Sequence, residues 1–475
     1  MYFSDENEKK ILWLIVLSAL GIRIFFLYCF KSWLIPDGWS FGYEMGRVAQ
    51  ALATGHGFAS PFLEPTGLTA LVPPLYPCFL ALIFKIFGVY SENAAIAALV
   101  TNCMVSALTC IPLYHIGKIL FGRNTGYLSA ALLALYPISI WYAVNTVWDT
   151  AIFTFLCMML LYYFLIIPQQ PFNTKTAALF GFFMGFVALV KTVIIAFYPF
   201  ALIWLFIRIR LEIKKKIACF ALMGLASAAV LMPWMIRNYI LFDRFMIQSN
   251  FGLEFMLENN AKSWDAFEAT KDSSVFMRQH PTIDSGEFLL YKCLGETNYM
   301  NVCLSRTKDF IRENPGKFMI LVLRRTYYFW LGDLGGKNEW TGTLQVPFSL
   351  AGLKKIMYFA PLPFMIIGIF LALRRKIAVF LPAAYLLCLP AVYYLTHVCS
   401  RFRHPLDPVI LLFAVYGLLY ICLSLNSIYG SVIKKPFDRI TLPDNFSDTS
   451  AETDTKRLAK PFYSKTILQI VSVSV

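Results

Sequence analysis

Three carboxylates and a set of basic residues stand out along the 475-residue chain because they border apolar runs, where charge is costly to keep without a task. Asp37 and Glu44 lie in IPDGWSFGYEMGRVAQALATGHGF, and Asp149 opens the apolar run of NTVWDTAIF. At helical spacing Glu44, Val48 and Ala51 share a face, so a short amphipathic helix would hold the Glu44 carboxylate at a membrane surface. Plainer readings are a solvated interfacial Glu44 and an Asp149 that caps a helix together with Thr150. Lys191 interrupts FVALVKTVIIAFYP, Arg237 follows Pro-Trp in LMPWMIRN, and His397, Arg401, Arg403 and His404 crowd THVCSRFRHPLD. Such cations call for an anion, and phosphate fits, because Arg forks match its oxygens and Lys adds a point charge. Attraction to anionic headgroups is the alternative. His115 and His280 look isolated and read as packing or loop histidines.

An acid that takes a proton from an acceptor hydroxyl or amine, beside cations that hold a departing phosphate, is an apparatus for glycosyl transfer from a lipid-phosphate sugar. No G-x-G-x-x-G, P-loop or D-x-D after a strand is present, which argues against a soluble nucleotide-sugar domain. The acids are not gathered with His or Cys at ligand spacing, so no metal and no other cofactor is expected.

Composition says what must position these residues. Hydrophobic residues make up 58% of the chain and charged ones 15%, with 43 Phe, 25 Tyr and 10 Trp, which excludes disorder, a coiled coil and a soluble Rossmann-type protein. The net charge of +14 therefore maps onto membrane topology and lipid contact, with no nucleic acid implied. The 11 Cys are scattered singly with no C-x-x-C pair, so they read as small core hydrophobes.

The expected fold is an all-α polytopic membrane protein with about ten transmembrane helices, over 11–30, 94–116, 126–144, 150–167, 176–190, 192–207, 217–234, 356–373, 377–395 and 408–425. The two runs around Lys191 are short enough to be one broken helix. Lys9-Lys10, Lys118 with Arg123, Arg208 to Lys216, Arg374 to Lys376 and Lys434-Lys435 then share one face, which the positive-inside rule makes cytoplasmic. Both termini are cytoplasmic on this reading, the first span being a retained signal anchor. Residues 1–425 form the membrane-embedded domain, with 31–93 as a first outer loop and 235–355 as a large one, and 426–475 are a cytoplasmic tail. Parity makes 71–89 and 316–332 interfacial helices, with Arg324 and Arg325 near headgroups.

At this point the chain resembles a family. FGYEMGRVAQALATGHGF (41–58), PPLYPCFLALIFKIFG (73–88), MPWMIRNYILFDRFMIQSNFGLEFMLENN (232–260), DFIRENPGKF (309–318) with YYFW (327–330), and SRFRHPLDPVILLFAVYGL (400–418) follow the order of elements in the membrane-embedded glycosyltransferases of the C superfamily. The resemblance is to bacterial relatives of protein O-mannosyltransferases and of the enzyme that adds aminoarabinose to lipid A. It implies a polyprenyl-phosphate sugar donor, inverting transfer on the extracytoplasmic face and a catalytic acid in the first outer loop. Relatives commonly place Asp or Asp-Glu at the start of the first-loop helix, where this chain has Phe41 and Gly42. Glu44, within the matching segment, and Asp37, before it, are the two candidates for the base. Asp149 resembles a second acid kept at the outer end of a later helix. The acceptor, whether glycolipid, polysaccharide or protein, is open. The alternative is a transporter or flippase of lipid-linked sugars, for which paired broken helices in two related halves are expected and no such symmetry is seen.

Overall fold

A backbone in lipid has no water to bond, so runs this apolar satisfy their N–H and C=O groups internally, as helices. The computed structural model describes residues 5–34, 41–270, 279–332 and 356–428, and among these no strand forms beyond one bridge between Ala59 and Leu68. Helix α1 (Asp5–Phe30) is followed by α2 (Tyr43–Ala53) and α3 (Leu75–Phe87) in the first long connection. Then come α4 (Glu92–Leu108), α5 (Cys110–Phe121), α6 (Arg123–Leu135), α7 (Pro137–Asn145), α8 (Thr150–Ile166), α9 (Thr174–Val190), α10 (Tyr198–Arg208) and α11 (Ile213–Phe242). The second long connection folds as α12 (Phe251–Met256), α13 (Ala261–Thr270), α14 (Ser285–Leu294), α15 (Glu296–Glu313) and α16 (Pro315–Leu331). Helices α17 (Pro361–Arg374), α18 (Phe380–Leu395) and α19 (Asp407–Ile428) complete the described chain.

The expected apolar helices are present, and they differ in length. Among the described residues six helices are long and apolar enough to span a bilayer, and the pair α6 and α7, bent by 48°, makes a seventh. Thr174–Val190, Tyr198–Arg208 and Phe380–Leu395 are apolar but shorter. Around Lys191 the run is cut because that residue is extended (φ −155°, ψ 116°) and leads into a 3-10 turn over Thr192–Ala196.

Pro137 explains the bend between α6 and α7, since it lacks the N–H that would continue the helix. The break is mended from another helix. Arg23 of α1, fully buried, donates to the carbonyls of Ala134 (3.1 Å) and Leu133 (3.4 Å), to its own Ala19 (3.0 Å), and to the hydroxyls of Ser106 (2.9 Å) and Ser139 (3.0 Å).

Polar contacts also sort the ends of the bundle. Glu8, at the start of α1, pairs with Lys118 (2.5 Å) and Arg123 (2.8 Å), and next to them Phe121 stacks on Tyr416 at 4.1 Å. At the other end of α1, Ser32 donates to Asn145 (2.5 Å), four residues before Asp149. Asp149 therefore lies at the end of the bundle opposite Lys118 and Arg123.

One expectation about α16 is corrected. Arg325 is 1% exposed and donates to the carbonyls of Tyr394 (2.6 Å) and Glu258 (3.2 Å) and to the Asn259 side chain (2.9 Å), so it ties α16 to α18 and to the turn after α12 rather than facing headgroups. Arg324 stacks over Phe267 at 4.2 Å. A second clasp joins the two long connections: buried Glu296 accepts from Thr69 Oγ1, the Ala70 N–H (2.8 Å), Ser249 Oγ (2.7 Å) and Tyr291 OH (2.9 Å).

Candidate active site

Helix α2 carries Glu44 one residue past a tight entry. Gly42 (φ 83°) and Tyr43 (φ 50°) are both left-handed, which glycine adopts freely and tyrosine only under constraint from its surroundings. A Cβ on Gly46 would stand 1.9 Å from the Phe41 carbonyl oxygen, so the spacing F-G-Y-E-M-G lets the incoming chain lie against the first turn. Glu44 is thereby held with Oε1 3.6 Å from His280 Nε2.

Asp149 sits at the N-terminus of α8 but makes no side-chain cap bond there, so the capping expectation gives way. Its oxygens, nearly buried, accept from Lys191 Nζ at 2.8 and 3.0 Å. The break after α9 is what frees Lys191 to point back at the start of α8, with its ammonium over the rings of Phe153 and Phe402.

Of the cations between α18 and α19, Arg401 belongs with these acids. Its guanidinium lies 4.1 Å from the Trp148 ring centroid and 5.9 Å from that of Tyr43, and both Glu44 and Asp149 are within its electrostatic reach. No described residue accepts a hydrogen bond from it, and Asp149 and Glu44 are among the groups whose charge it feels. Tyr142 and Tyr358 fasten the neighbouring Ser400, by its hydroxyl (3.1 Å) and its carbonyl (2.5 Å). His397 Nδ1 is 2.8 Å from Glu254 Oε2. Burial raises the Glu254 carboxyl, but His397, His280 and Arg401 around it outweigh burial and leave it below the ordinary range. From Glu254 a polar chain runs back through Asn250 (2.9 Å) and Gln248 (2.5 Å) to Thr192 (2.6 Å), the residue after Lys191.

The remaining sequence candidates are placed differently. Arg403 is fully buried and occupied by the carbonyls of Trp330 (2.7 Å) and Tyr358 (2.8 Å), with Asp407 at 3.4 Å, so a role as phosphate ligand is replaced by one as a clamp. His404, also buried, faces Asp407 (3.2 Å) and the Tyr142 ring (4.9 Å). Arg237 donates to the carbonyls of Thr69 (2.7 Å) and Phe58 (3.2 Å) and stacks on Trp234 at 4.6 Å, which makes it a strut of the first long connection. Asp37 lies outside the described residues. Sequence reasoning missed Glu254 and set His280 aside as a plain packing histidine. Glu254 and Glu258, four apart in an apolar setting, were a visible signal; His280 offered none. Among the described residues no group of three His, Cys, Asp or Glu converges as a metal site would require.

Comparison with known proteins agrees with this architecture. Residues 71–236, which include Asp149 and Lys191 but not Glu44, match the family model described as dolichyl-phosphate-mannose-protein mannosyltransferase. No curated protein matches the chain. The oligosaccharyltransferase of Archaeoglobus fulgidus, tethered with an acceptor peptide containing the NVT sequon via a disulfide bond, superposes with a TM-score of 0.50 at 15% identity over 90% of this chain and 51% of that one. The archaeal oligosaccharyltransferase AglB from Archaeoglobus fulgidus, in complex with an inhibitory peptide and a dolichol-phosphate, gives 0.49 at 15% identity over 92% and 53%. ArnT from Cupriavidus metallidurans bound to undecaprenyl phosphate gives 0.35 at 11% identity over 84% and 77%. The chain spans about half the length of the oligosaccharyltransferases it matches. In family model and in fold, the chain is similar to the membrane-embedded glycosyltransferases of the C superfamily.

Proposed function

We propose that the chain transfers a sugar from a polyprenyl-phosphate donor to an acceptor group at the extracytoplasmic face of the membrane. The observation that supports this reading best is the convergence of α2, the start of α8 and the segment before α19, which sets Arg401, from which no described residue accepts a hydrogen bond, within electrostatic reach of Glu44 and Asp149. In the transfer the acceptor O–H or N–H gives its proton to Glu44, its lone pair forms the new bond to the anomeric carbon, and the bond from that carbon to the phosphate oxygen breaks with its electrons on the phosphate. Arg401 neutralises the charge that develops there, and the aromatic faces of Trp148 and Tyr43 hold its fork in place. Asp149, paired with Lys191, positions that ammonium as a second charge near the donor. Glu44 is the better base because Asp149 is already tied to Lys191. The acceptor's class, glycolipid, polysaccharide or protein, is left to experiment.

The test compares two neighbouring arginines in binding of undecaprenyl-phosphate mannose, glucose and aminoarabinose to purified protein. Arg401→Ala should weaken binding of the preferred donor roughly ten- to a hundredfold, the loss of one charge-assisted contact of about 1.5 to 3 kcal/mol, and Arg401→Lys should recover part of it. Arg403→Ala should instead lower thermal stability, because it strips partners from two carbonyls and Asp407. Unchanged donor binding in Arg401→Ala would reduce that residue to a headgroup contact.

The sidedness is tested separately. A reporter fused after residue 290 should be active only outside the cytoplasm and one after residue 213 only inside, from the distribution of Lys and Arg. Both on one side would overturn the placing of the site.

A further inference from the structure

We infer that His280 is the positioning residue for the Glu44 carboxylate, a neutral imidazole whose Nε2–H is directed at Oε1 and leaves Oε2 to face the acceptor. The inference rests on the reading of Glu44 as the base.

The argument begins with the tautomer. The Thr282 N–H reaches His280 Nδ1 at 3.2 Å, and the Thr282 hydroxyl lies 2.9 Å from the same nitrogen. A backbone N–H can only donate, so Nδ1 must accept and the ring proton of the neutral form sits on Nε2. The turn that imposes this is short: the His280 carbonyl accepts from Ile283 (2.8 Å) and Asp284 (2.9 Å), and Asp284 then caps α14 through Gly286 and Glu287. Phe62 packs edge-on against the ring, 5.8 Å between centroids, which fixes its plane.

Burial holds the imidazole below its ordinary pKa; Glu44 and Glu254 oppose this, while His397 and Arg47 add to it. Among the described residues these are the charged groups that act on the ring, from α2, α12 and the segment after α18. The neutral state is the one the Thr282 geometry requires, since a protonated Nδ1 would meet the Thr282 N–H head-on.

The Nε2 to Oε1 separation of 3.6 Å is longer than a hydrogen bond, and such contacts tighten when substrate closes a site. Fixing one carboxylate oxygen orients the other, and a base misplaced by an ångström loses about a hundredfold in rate.

Two measurements test this. In protein labelled with ¹⁵N-histidine, the signals assigned to His280 by their absence in His280→Gln should show Nε2 protonated and Nδ1 bare, and the Nε2–H signal should move in Glu44→Gln. The reverse tautomer, or a signal indifferent to Glu44, overturns the proposal. In transfer from whichever of the three undecaprenyl-phosphate sugars turns over, His280→Ala should lower kcat roughly ten- to a hundredfold with donor KM little changed. His280→Gln, whose amide N–H reaches the same place, should restore most of it. A fall in kcat that Gln does not rescue, or one that comes with lost thermal stability, overturns the proposal. The double variant Glu44→Gln, His280→Ala should be no slower than Glu44→Gln alone; a further fall would mean that His280 acts independently of Glu44. The two readings fail separately: a Glu44→Gln protein at wild-type rate removes the base, whereas an inactive Glu44→Gln beside a fully active His280→Ala removes only the positioning role.

Discussion

Glu44→Gln is expected to bind a polyprenyl-phosphate sugar within about twofold of wild type and to turn it over roughly 10² to 10⁴ times more slowly. The substitution keeps the shape of the side chain and removes only its ability to accept a proton. On the proposed reading donor binding rests on the Arg401 guanidinium and not on Glu44, so the affinity should not follow the rate. Donor binding and transfer to acceptor, measured on the same preparation, check this. A variant that still turned over at the wild-type rate would move the base to Asp37 or Asp149. Asp149 starts from a weaker position, since its oxygens already take hydrogen bonds from Lys191 at 2.8 and 3.0 Å.

The second large effect concerns that pair. Lys191→Met should destabilise the protein by about 3 to 5 kcal/mol, since it leaves a nearly buried carboxylate with no countercharge. Asp149→Leu should cost a similar amount for the ammonium left behind. Replacing both together should bring stability back to within about 1 kcal/mol of wild type, as apolar pairs of similar volume commonly do. Activity should not return with it, because the proposed second charge beside the donor phosphate is gone. Thermal unfolding in detergent and transfer assays on the two single variants and the double variant separate these outcomes. A stable but inactive double variant is the signature; a fully active one would leave the pair a purely structural role.

Much of the architecture could be read from residue types, and the site only in part. Apolar length and the Lys/Arg alternation marked the helices, since lipid leaves a backbone few options. Apolarity does not reveal where a run breaks, so it did not mark which of the ten runs are long unbroken helices; the extended backbone at Lys191 and the kink at Pro137 interrupt two of them. The cluster at 397–404 was visible by its crowding. Which of its two arginines faces the carboxylates was not, because Arg403 is claimed by carbonyls 73 and 45 residues away, at Trp330 and Tyr358. Arg325 misled for the same reason, its acceptors lying on α18 and beside α12. His280 shows the limit most clearly: nothing within its own segment announces a carboxylate on α2.

The Arg23 clasp bears on how such a chain is made. Helix α1 is synthesised before α6 and α7, and an arginine within an isolated transmembrane helix costs up to about 2.5 to 3.5 kcal/mol to place in a bilayer. Its last acceptor, Ser139, is 116 residues further along. Until α7 is made, α1 is an incomplete part that gains by staying at the insertion machinery instead of diffusing into lipid, and the broken α6–α7 segment lacks a donor until it meets α1. Each supplies the polar partners that the other lacks, so a single guanidinium couples the burial of α1 to that of the bent α6–α7 segment.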